Sequence, residues 1–310
     1  MRSIVVWLAA ALALGAQQKT QSSQTYVYDG TGDRVRAPDV DIRGDSRTEK
    51  MQTINGRTVP LEQIEQRVLR SEGPTKVVER IIKRFDPNGN LAGTERVVEE
   101  QTKYPDGGST VRAATYRGDI NGNMRQVERS VTETKKSGST LASQAVIDRP
   151  SLNGEFQTAE KRSLVVDTSP DRDVRNEVVY RRDNNGHFYE AVKETSTRQQ
   201  TGTQSVENTV QYVVGTSGRL ELANQTVKTA VKRPDGSESI VVDVYGQQTP
   251  GLANAGETPK LSSQQVIDRR VRNGEVDEVV SLRQPSLADP NRLGPPRKIS
   301  ETVCKGKCDQ

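Results

Sequence analysis

The chain has little of the chemistry on which catalytic and metal sites most often depend. It contains one histidine, His187, and two cysteines, and it lacks the G-x-S-x-G, P-loop and dinucleotide-binding motifs. Carboxylates are abundant, but none is marked out as a catalytic pair by its sequence surroundings. We therefore predict a protein that is not an enzyme and uses neither a cofactor nor a metal, with a carboxylate-based hydrolase as an alternative.

Apolar side chains are also scarce. Hydrophobic residues make up 32% of the chain and aromatic residues 4%, whereas ordinary domains are roughly 45–50% apolar with glycine included. A thick conventional core is excluded. An outer-membrane barrel needs an outward apolar band with aromatic girdles, so this composition predicts no membrane insertion of the mature chain. A net charge of +4 with both signs interspersed excludes a nucleic-acid footprint.

The two ends of the chain indicate export. Residues 1–16 read as Arg2, an apolar stretch and a small-residue cleavage site near Ala13–Ala16, which is the pattern of a secretory signal peptide. The mature protein is expected in the periplasm, at the cell surface or outside the cell. In that setting Cys304 and Cys308, in C-K-G-K-C, predict a disulfide, and a redox or partner-linked role stays open.

A repeat of about 32 residues organises the rest of the chain. The stretch Arg117–Met124, R-G-D-I-N-G-N-M, returns in related form at Arg84–Leu91, Arg149–Phe156 and Arg181–Phe188. The glycines of these units and of a looser copy stand at 89, 122, 154, 186 and 218. Second turns lie midway, and the segments between turns are rich in Val, Ile, Thr and Tyr. Each repeat is therefore predicted to be one β-hairpin with its link.

We predict an all-β fold in which tandem antiparallel hairpins form an extended, curved meander sheet, with a β-solenoid as the alternative. The repetitive domain is placed at 51–283, with an irregular loop at 247–260. Residues 17–50 are predicted to be a polar, flexible N-terminal segment, and 284–310 a Pro-rich tail. Leu61, Ile64 and Val68 have helical spacing, but the turn spacing favours a strand over 59–70.

The repeat predicts two different faces on each hairpin. Residues at the same distance from the turn glycine of each repeat form a column. Columns of Val and Ile share one face of the hairpins with Tyr116, Tyr180 and Tyr212, and a column of Arg117, Arg149 and Arg181 lies on the other face. Glutamates at 62, 95, 128 and 160 break the alternation. The tyrosines are candidates for stacking on sugars and the arginines for binding an anionic ligand. Packing and pairing with cross-strand acids are the alternatives. The D-x-N-G turns contain possible calcium ligands, but turn chemistry accounts for these residues.

Two short runs resemble the core of YD repeats. They are Tyr26–Gly32, Y-V-Y-D-G-T-G, and Phe85–Leu91, F-D-P-N-G-N-L, and Asp119 and Asp183 keep the D-x-x-G spacing. YD repeats belong to the Rhs-type family of large secreted β-shell proteins. The resemblance implies a secreted, non-catalytic β scaffold.

These features together predict an exported structural or interaction protein. Its repetitive β surface would bind an envelope or extracellular polymer or protein that the sequence does not identify. The alternative is a periplasmic carrier, in which a curled sheet would hold an apolar ligand against the Val, Leu and Phe columns.

Overall fold

The computed structural model describes residues 20–28, 32, 34–36, 40–43, 47–54, 57–119, 122–215, 217–246, 259–272, 275–286, 289 and 292–306. The signal peptide predicted at 1–16 and most of the loop predicted at 247–260 lie outside these residues. No helix in the described part of the chain is long and apolar enough to cross a membrane.

The described chain forms one sheet of 19 strands. Their bounds are β1 Thr20–Tyr28, β2 Arg34–Arg36, β3 Val40–Arg43, β4 Arg47–Ile54, β5 Arg57–Glu72, β6 Thr75–Phe85, β7 Leu91–Lys103, β8 Ser109–Gly118, β9 Met124–Ser137, β10 Thr140–Pro150, β11 Phe156–Thr168, β12 Arg172–Arg182, β13 Phe188–Thr201, β14 Gln204–Val214, β15 Leu220–Lys232, β16 Glu238–Gly246, β17 Lys260–Arg272, β18 Glu275–Arg283 and β19 Arg297–Gly306. From β3 onward each strand pairs antiparallel with the next. The predicted all-β meander of hairpins is confirmed, and the neighbours in the sheet are not the parallel coils of a solenoid.

The repeated glycines reverse the chain as the sequence predicts. The backbone N–H of Asp86 donates to the carbonyl of Asn90, and the N–H of Gly89 donates to the carbonyl of Asp86. Gly89 has a φ of 86°, a left-handed conformation that glycine adopts without a steric cost. Asp119, Ser151 and Asp183 begin loops with the same two hydrogen bonds. Each D-x-N-G unit is thus a three-residue hairpin loop closed by a glycine bulge.

The meander closes on itself through its first strand. β1 pairs with β19 over Gln21–Val27, and on its other side it pairs with β2 and β3. The strand pairings therefore run in a ring from β1 through β3 to β19 and back to β1. Since β2 and β3 lie one after the other along β1, the 19 strands occupy 18 positions.

The ring is wide enough to leave an open interior. With strands about 4.8 Å apart and tilted by about 40°, 18 positions give a circumference of about 110 Å and a backbone diameter of about 35 Å. Barrels of this strand number enclose an aqueous channel. The first residue of β1 and the last residue of β19 lie at the same rim, here called the terminal end. The D-x-N-G turns lie at the opposite rim, here called the loop end.

A second bulge in each repeat explains the misplaced glutamates. The register shifts where the strand after a D-x-N-G turn pairs with the strand before it. In the last three of these pairs the extra residue is an alanine: Ala159, Ala191 and Ala223. One extra residue reverses the alternation of side chains beyond it. Glu95, Glu128 and Glu160 therefore lie on the arginine face rather than the apolar face.

Side-chain exposure identifies which face points inward. Along β9 and β10 the side chains of Ser130, Thr132 and Ser143 are half-buried, while those of Val131 and Val146, on the other face, are exposed. The buried residues Ile147, Ala230, Ile240 and Val280 share the face of Ser130. Side chains crowd together on the concave side of a curved sheet. The arginine and glutamate columns are therefore on the inner wall, and the tyrosine and valine columns are on the outside.

The structure also places some segments differently from the sequence prediction. Residues 17–50, predicted to be flexible, contribute β1 to β3 and the start of β4, and the tail predicted at 284–310 contributes β19. The strand favoured over 59–70 is confirmed as part of β5. Ser263–Glu275 copies Ser143–Glu155 in sequence, yet β17 runs towards the terminal end whereas β10 runs towards the loop end.

Replacing Gly154 with alanine will destabilise the barrel through backbone strain alone. Gly154 has a φ of 84°, and a Cβ there would meet nothing within 4 Å. A side chain in this conformation costs roughly 1–2 kcal/mol, which urea unfolding monitored by circular dichroism will measure. Gly93→Ala is the matched control, because Gly93 also has free space but lies in a strand without a positive φ. Equal effects of the two substitutions would contradict this account of the turn.

Candidate functional site: the inner wall and an outer aromatic collar

A ladder of ion pairs lines the inner wall near the loop end. Arginines that precede the D-x-N-G turns meet glutamates on the neighbouring strands. The pairs are Arg84 with Glu62 at 3.5 Å and with Glu95 at 3.8 Å, Arg117 with Glu95 at 3.1 Å, Arg149 with Glu128 at 2.9 Å, and Arg181 with Glu160 at 3.7 Å. The sequence repeat sets this ladder, because the copies at Gly89, Gly122 and Gly154 each supply one arginine and one glutamate at a fixed register.

Glu160 is the most enclosed member of the ladder. Its side chain is 6% exposed and accepts a hydrogen bond from Nε of Arg162 at 2.6 Å, with Arg181 beyond. The arginines themselves are more than a quarter exposed. The two guanidinium groups surround the buried carboxylate as hydrogen-bond and ion-pair partners, and they present positive charge to the interior.

A second inner cluster lies at the terminal end. Arg269 donates from Nη2 to Glu278 at 2.8 Å and lies 3.7 Å from Glu238. Because β17 runs opposite to the earlier copies, this arginine lies at the other rim from Arg117, Arg149 and Arg181. In sequence, Arg269 stands five residues before Gly274, just as Arg117 stands five residues before Gly122.

The outer face carries an aromatic collar at the loop end. The chain has eight tyrosines and three phenylalanines, and all but Tyr104 and Tyr189 lie on the outer face close to this rim. The collar residues are Tyr26, Tyr28, Phe85, Tyr116, Phe156, Tyr180, Phe188, Tyr212 and Tyr245, with Leu91, Met124, Leu220 and Leu222 among them. A ring of valines and small residues follows one step below the collar, at Ile81, Val98, Ala114, Val146, Val178, Val210 and Val266.

The rest of the outer face is mixed in polarity. Towards the terminal end it presents mainly Thr, Gln, Ser and charged residues. Several of its charges are paired: Arg129 donates to Asp148 at 2.9 Å, and Glu79, which is 1% exposed, is held by both Arg67 and Arg96. Apolar outer surface is therefore concentrated at one rim, unlike the two girdles of an outer-membrane barrel.

The candidate site residues of the sequence are not brought together. Tyr116, Tyr180 and Tyr212 are in the outer collar, and Arg117, Arg149 and Arg181 are on the inner wall, so no ligand can contact both sets. The Tyr180 hydroxyl lies 3.5 Å from Glu190, and the three arginines pair with cross-strand glutamates. The apolar columns face outward, so the carrier hypothesis, which needed them inside the curl, is wrong.

The D-x-N-G turns use their aspartates to hold backbone groups. The Asp86 carboxylate accepts hydrogen bonds from the N–H groups of Asn90 and Asn88, and these bonds, that of Asn90 above all, lower the pKa of Asp86. The N–H of Ser237 lowers the pKa of Asp235 in the same way. Among the described residues no group of three or more His, Cys, Asp or Glu side chains is arranged to hold a metal ion.

The C-terminal cysteines are only partly described. Cys304 is buried on the inner face of β19 and is disulfide-bonded. Cys308, its predicted partner, lies outside the described residues.

Comparison with solved structures identifies the fold. No family model and no curated protein matches the chain. Among solved structures, a triple mutant of the Rhodopseudomonas blastica porin matches with a TM-score of 0.51 and 8% identity, over 93% of this chain and 98% of the porin. Salmonella typhi OmpF, in a complex with daunomycin, matches with a TM-score of 0.53 and 10% identity, over 93% of this chain and 96% of OmpF. The chain is therefore similar in fold to porins.

This likeness overturns two predictions from the sequence. A non-membrane binding scaffold and the absence of membrane insertion do not agree with a porin-like barrel. The composition argument failed because it averaged over the chain, whereas the few aromatic residues are gathered in one ring. Tyr116, Tyr180 and Tyr212 each stand six residues before a turn glycine, and Met124, Phe188 and Leu220 stand two residues after the same glycines. This regular spacing already indicated that large apolar side chains gather beside the turns.

Replacing Glu160 with glutamine will destabilise the barrel more than the same change at Glu128. Glu160 is buried and serves two arginines, whereas the Glu128 side chain is 32% exposed and serves one. We expect a loss of roughly 1.5–3 kcal/mol for Glu160→Gln and about 0–1 kcal/mol for Glu128→Gln, from urea unfolding curves. Equal losses would show that burial does not set the strength of these pairs.

Proposed function

We propose that the protein is a channel-forming β-barrel of the outer envelope, through which small hydrophilic solutes pass. The observation that carries this proposal is the closed ring of strands, whose inner wall carries ion pairs and hydroxyl side chains beside its apolar residues. The pairing of β1 with both β19 and β3 joins the two ends of the described sheet into a ring, and a closed sheet is the arrangement in which strands can be placed in lipid. The likeness in fold to porins supports the same function.

The inner wall suits the passage of water and polar solutes. Between the ion-pair ladder and the terminal end it presents Ser130, Thr132, Thr134 and Ser143 on β9 and β10. A diameter of about 35 Å between backbones leaves room for a water-filled interior after side chains are added. In the described residues, the D-x-N-G loops are short reversals that stay at the rim.

The collar is proposed to be the membrane contact. With the valine ring below it, it forms an apolar belt about 15 Å tall, from the rise per residue and strand tilt. An outer-membrane barrel has a band of about 25 Å. The lipid-facing surface can continue beyond this belt where the outer charges are paired, as Arg129 is with Asp148. Pairing lowers the free energy needed to place charged side chains in lipid. The predicted signal peptide agrees with an exported protein.

Purified mature protein will form ion-conducting pores in planar lipid bilayers. We expect stepwise current increases in 1 M KCl, since a lumen of this width passes hydrated ions. Heat-denatured protein at the same concentration is the control. Absence of conductance steps, together with the absence of swelling of liposomes in sugar solutions, would overturn the proposed function.

Charges placed in the collar will weaken membrane association. Met124 and Tyr212 are exposed collar residues, and the double variant Met124→Asp, Tyr212→Asp is expected to lower the fraction of protein that floats with liposomes by about tenfold or more. Val231→Asp is the control, because Val231 is equally exposed on the outer face but lies at the terminal end. If Val231→Asp reduced flotation as strongly as the collar variant, the belt would not be the membrane contact.

A further inference from the structure

We infer that the terminal end of the lumen is a cationic vestibule that makes the channel prefer anions. This inference rests on the proposed channel function. The vestibule lies at the opposite rim from the ion-pair ladder. Its charge comes from inward-facing basic side chains that form no salt bridge with an acid in the described part of the chain.

Six basic side chains point into the lumen from the terminal halves of their strands. They are Lys76 on β6, Lys103 on β7, Lys136 on β9, Arg198 on β13, and Lys228 and Lys232 on β15. Each faces inward because its cross-strand partner lies on the face of Ser130 and Ile147. Lys136 illustrates the position: its aliphatic stem lies beside the turn glycine Gly107 at this rim.

Within the described residues none of these six cations forms a salt bridge, whereas most of the acids around them pair with other groups. In the described chain their ammonium and guanidinium groups make no ion pair within 4 Å. Glu99 pairs with Arg80, Glu177 with Arg175, and Glu238 and Glu278 with Arg269. Two further acids lie directly opposite these cations. Glu207 faces Arg198 and Lys228 and accepts a hydrogen bond from Ser196, and Asp173 faces Arg198 across the β12–β13 pair. Against Asp173 and Glu207 stand the six basic side chains. The vestibule therefore carries a surplus of positive charge.

A surplus of one sign inside a low-dielectric wall concentrates counter-ions in the pore. Clefts lined by one sign of charge focus the field and raise the local concentration of the opposite ion, and rings of Arg and Lys line anion pores. At about 0.1 M salt the screening length is about 10 Å, which is shorter than the radius of this lumen. The preference is therefore moderate and must fade as salt increases.

The test is the reversal potential of the full-length mature protein in planar bilayers under a KCl gradient. We expect chloride to be favoured over potassium about two- to fivefold near 0.1 M KCl, and this ratio to approach 1 near 1 M as screening grows. The triple variant Lys136→Glu, Lys228→Glu, Lys232→Glu should reverse the preference towards potassium while conductance steps persist.

Lys135→Glu is the matched control. Lys135 is the neighbour of Lys136 on β9 but lies on the outer face. Its substitution changes the net charge by as much as Lys136→Glu does alone, and it should leave the reversal potential unchanged, whereas Lys136→Glu alone should shift it part of the way towards potassium. Pores that prefer potassium in the unmodified protein, or a triple variant with unchanged selectivity, would overturn the vestibule while the channel stands. A complete absence of pores would overturn the channel itself, and the vestibule with it.

Discussion

The structure depends on satisfying the backbone hydrogen bonds of a sheet that has too few apolar residues for a core. An open sheet of this length would leave two rows of unpaired N–H and C=O groups, and such edges recruit other chains. β1 joins the two ends of the meander, because it pairs with β19 on one side and with β2 and β3 on the other. The segments 17–50 and 284–310 have the composition of linkers, yet they contain β1 to β3 and β19. Their backbone N–H and C=O groups close the ring, and this closure depends little on their side chains.

Closure then decides what each face of the sheet does. Curvature crowds the inner face, so charges there become partly buried and must pair, as Glu160 does with Arg162 and Arg181. The outer face has more room, and valine, tyrosine and phenylalanine remain accessible on it. Ile147, Ile240 and Val280 still lie on the inner face, so neither face is the uniformly apolar core side of an ordinary domain. A 32% hydrophobic chain can fold this way because the ring is too wide for its side chains to have to fill the space that it encloses.

The sequence predicts the hairpins well because their signals are local. Asp86, Asn88 and Gly89 specify a reversal by their own backbone preferences, and the opposite placement of Tyr116 and Arg117 follows from strand alternation. Two features escape this reasoning. The pairing of β1 with β19 joins residues near opposite ends of the chain, for which no local pattern exists. The bulges at Ala92, Val127 and Ala159 have no turn residue to mark them, and without them Glu95, Glu128 and Glu160 fall on the wrong face.

The two rims of the barrel differ in a way that its composition conceals. Nine of eleven phenylalanines and tyrosines surround the outside of the loop end, whereas lysines that form no ion pair within the described residues line the inside of the terminal end. Each asymmetry comes largely from the repeat, since the copies whose turns lie at the loop end add apolar residues outside that rim and several copies add a basic residue inside the other. A single 32-residue unit has neither a belt nor a vestibule. Both arise only when the units are joined in a ring, so the property that matters for function belongs to the closed array and is set by how each copy is oriented in it.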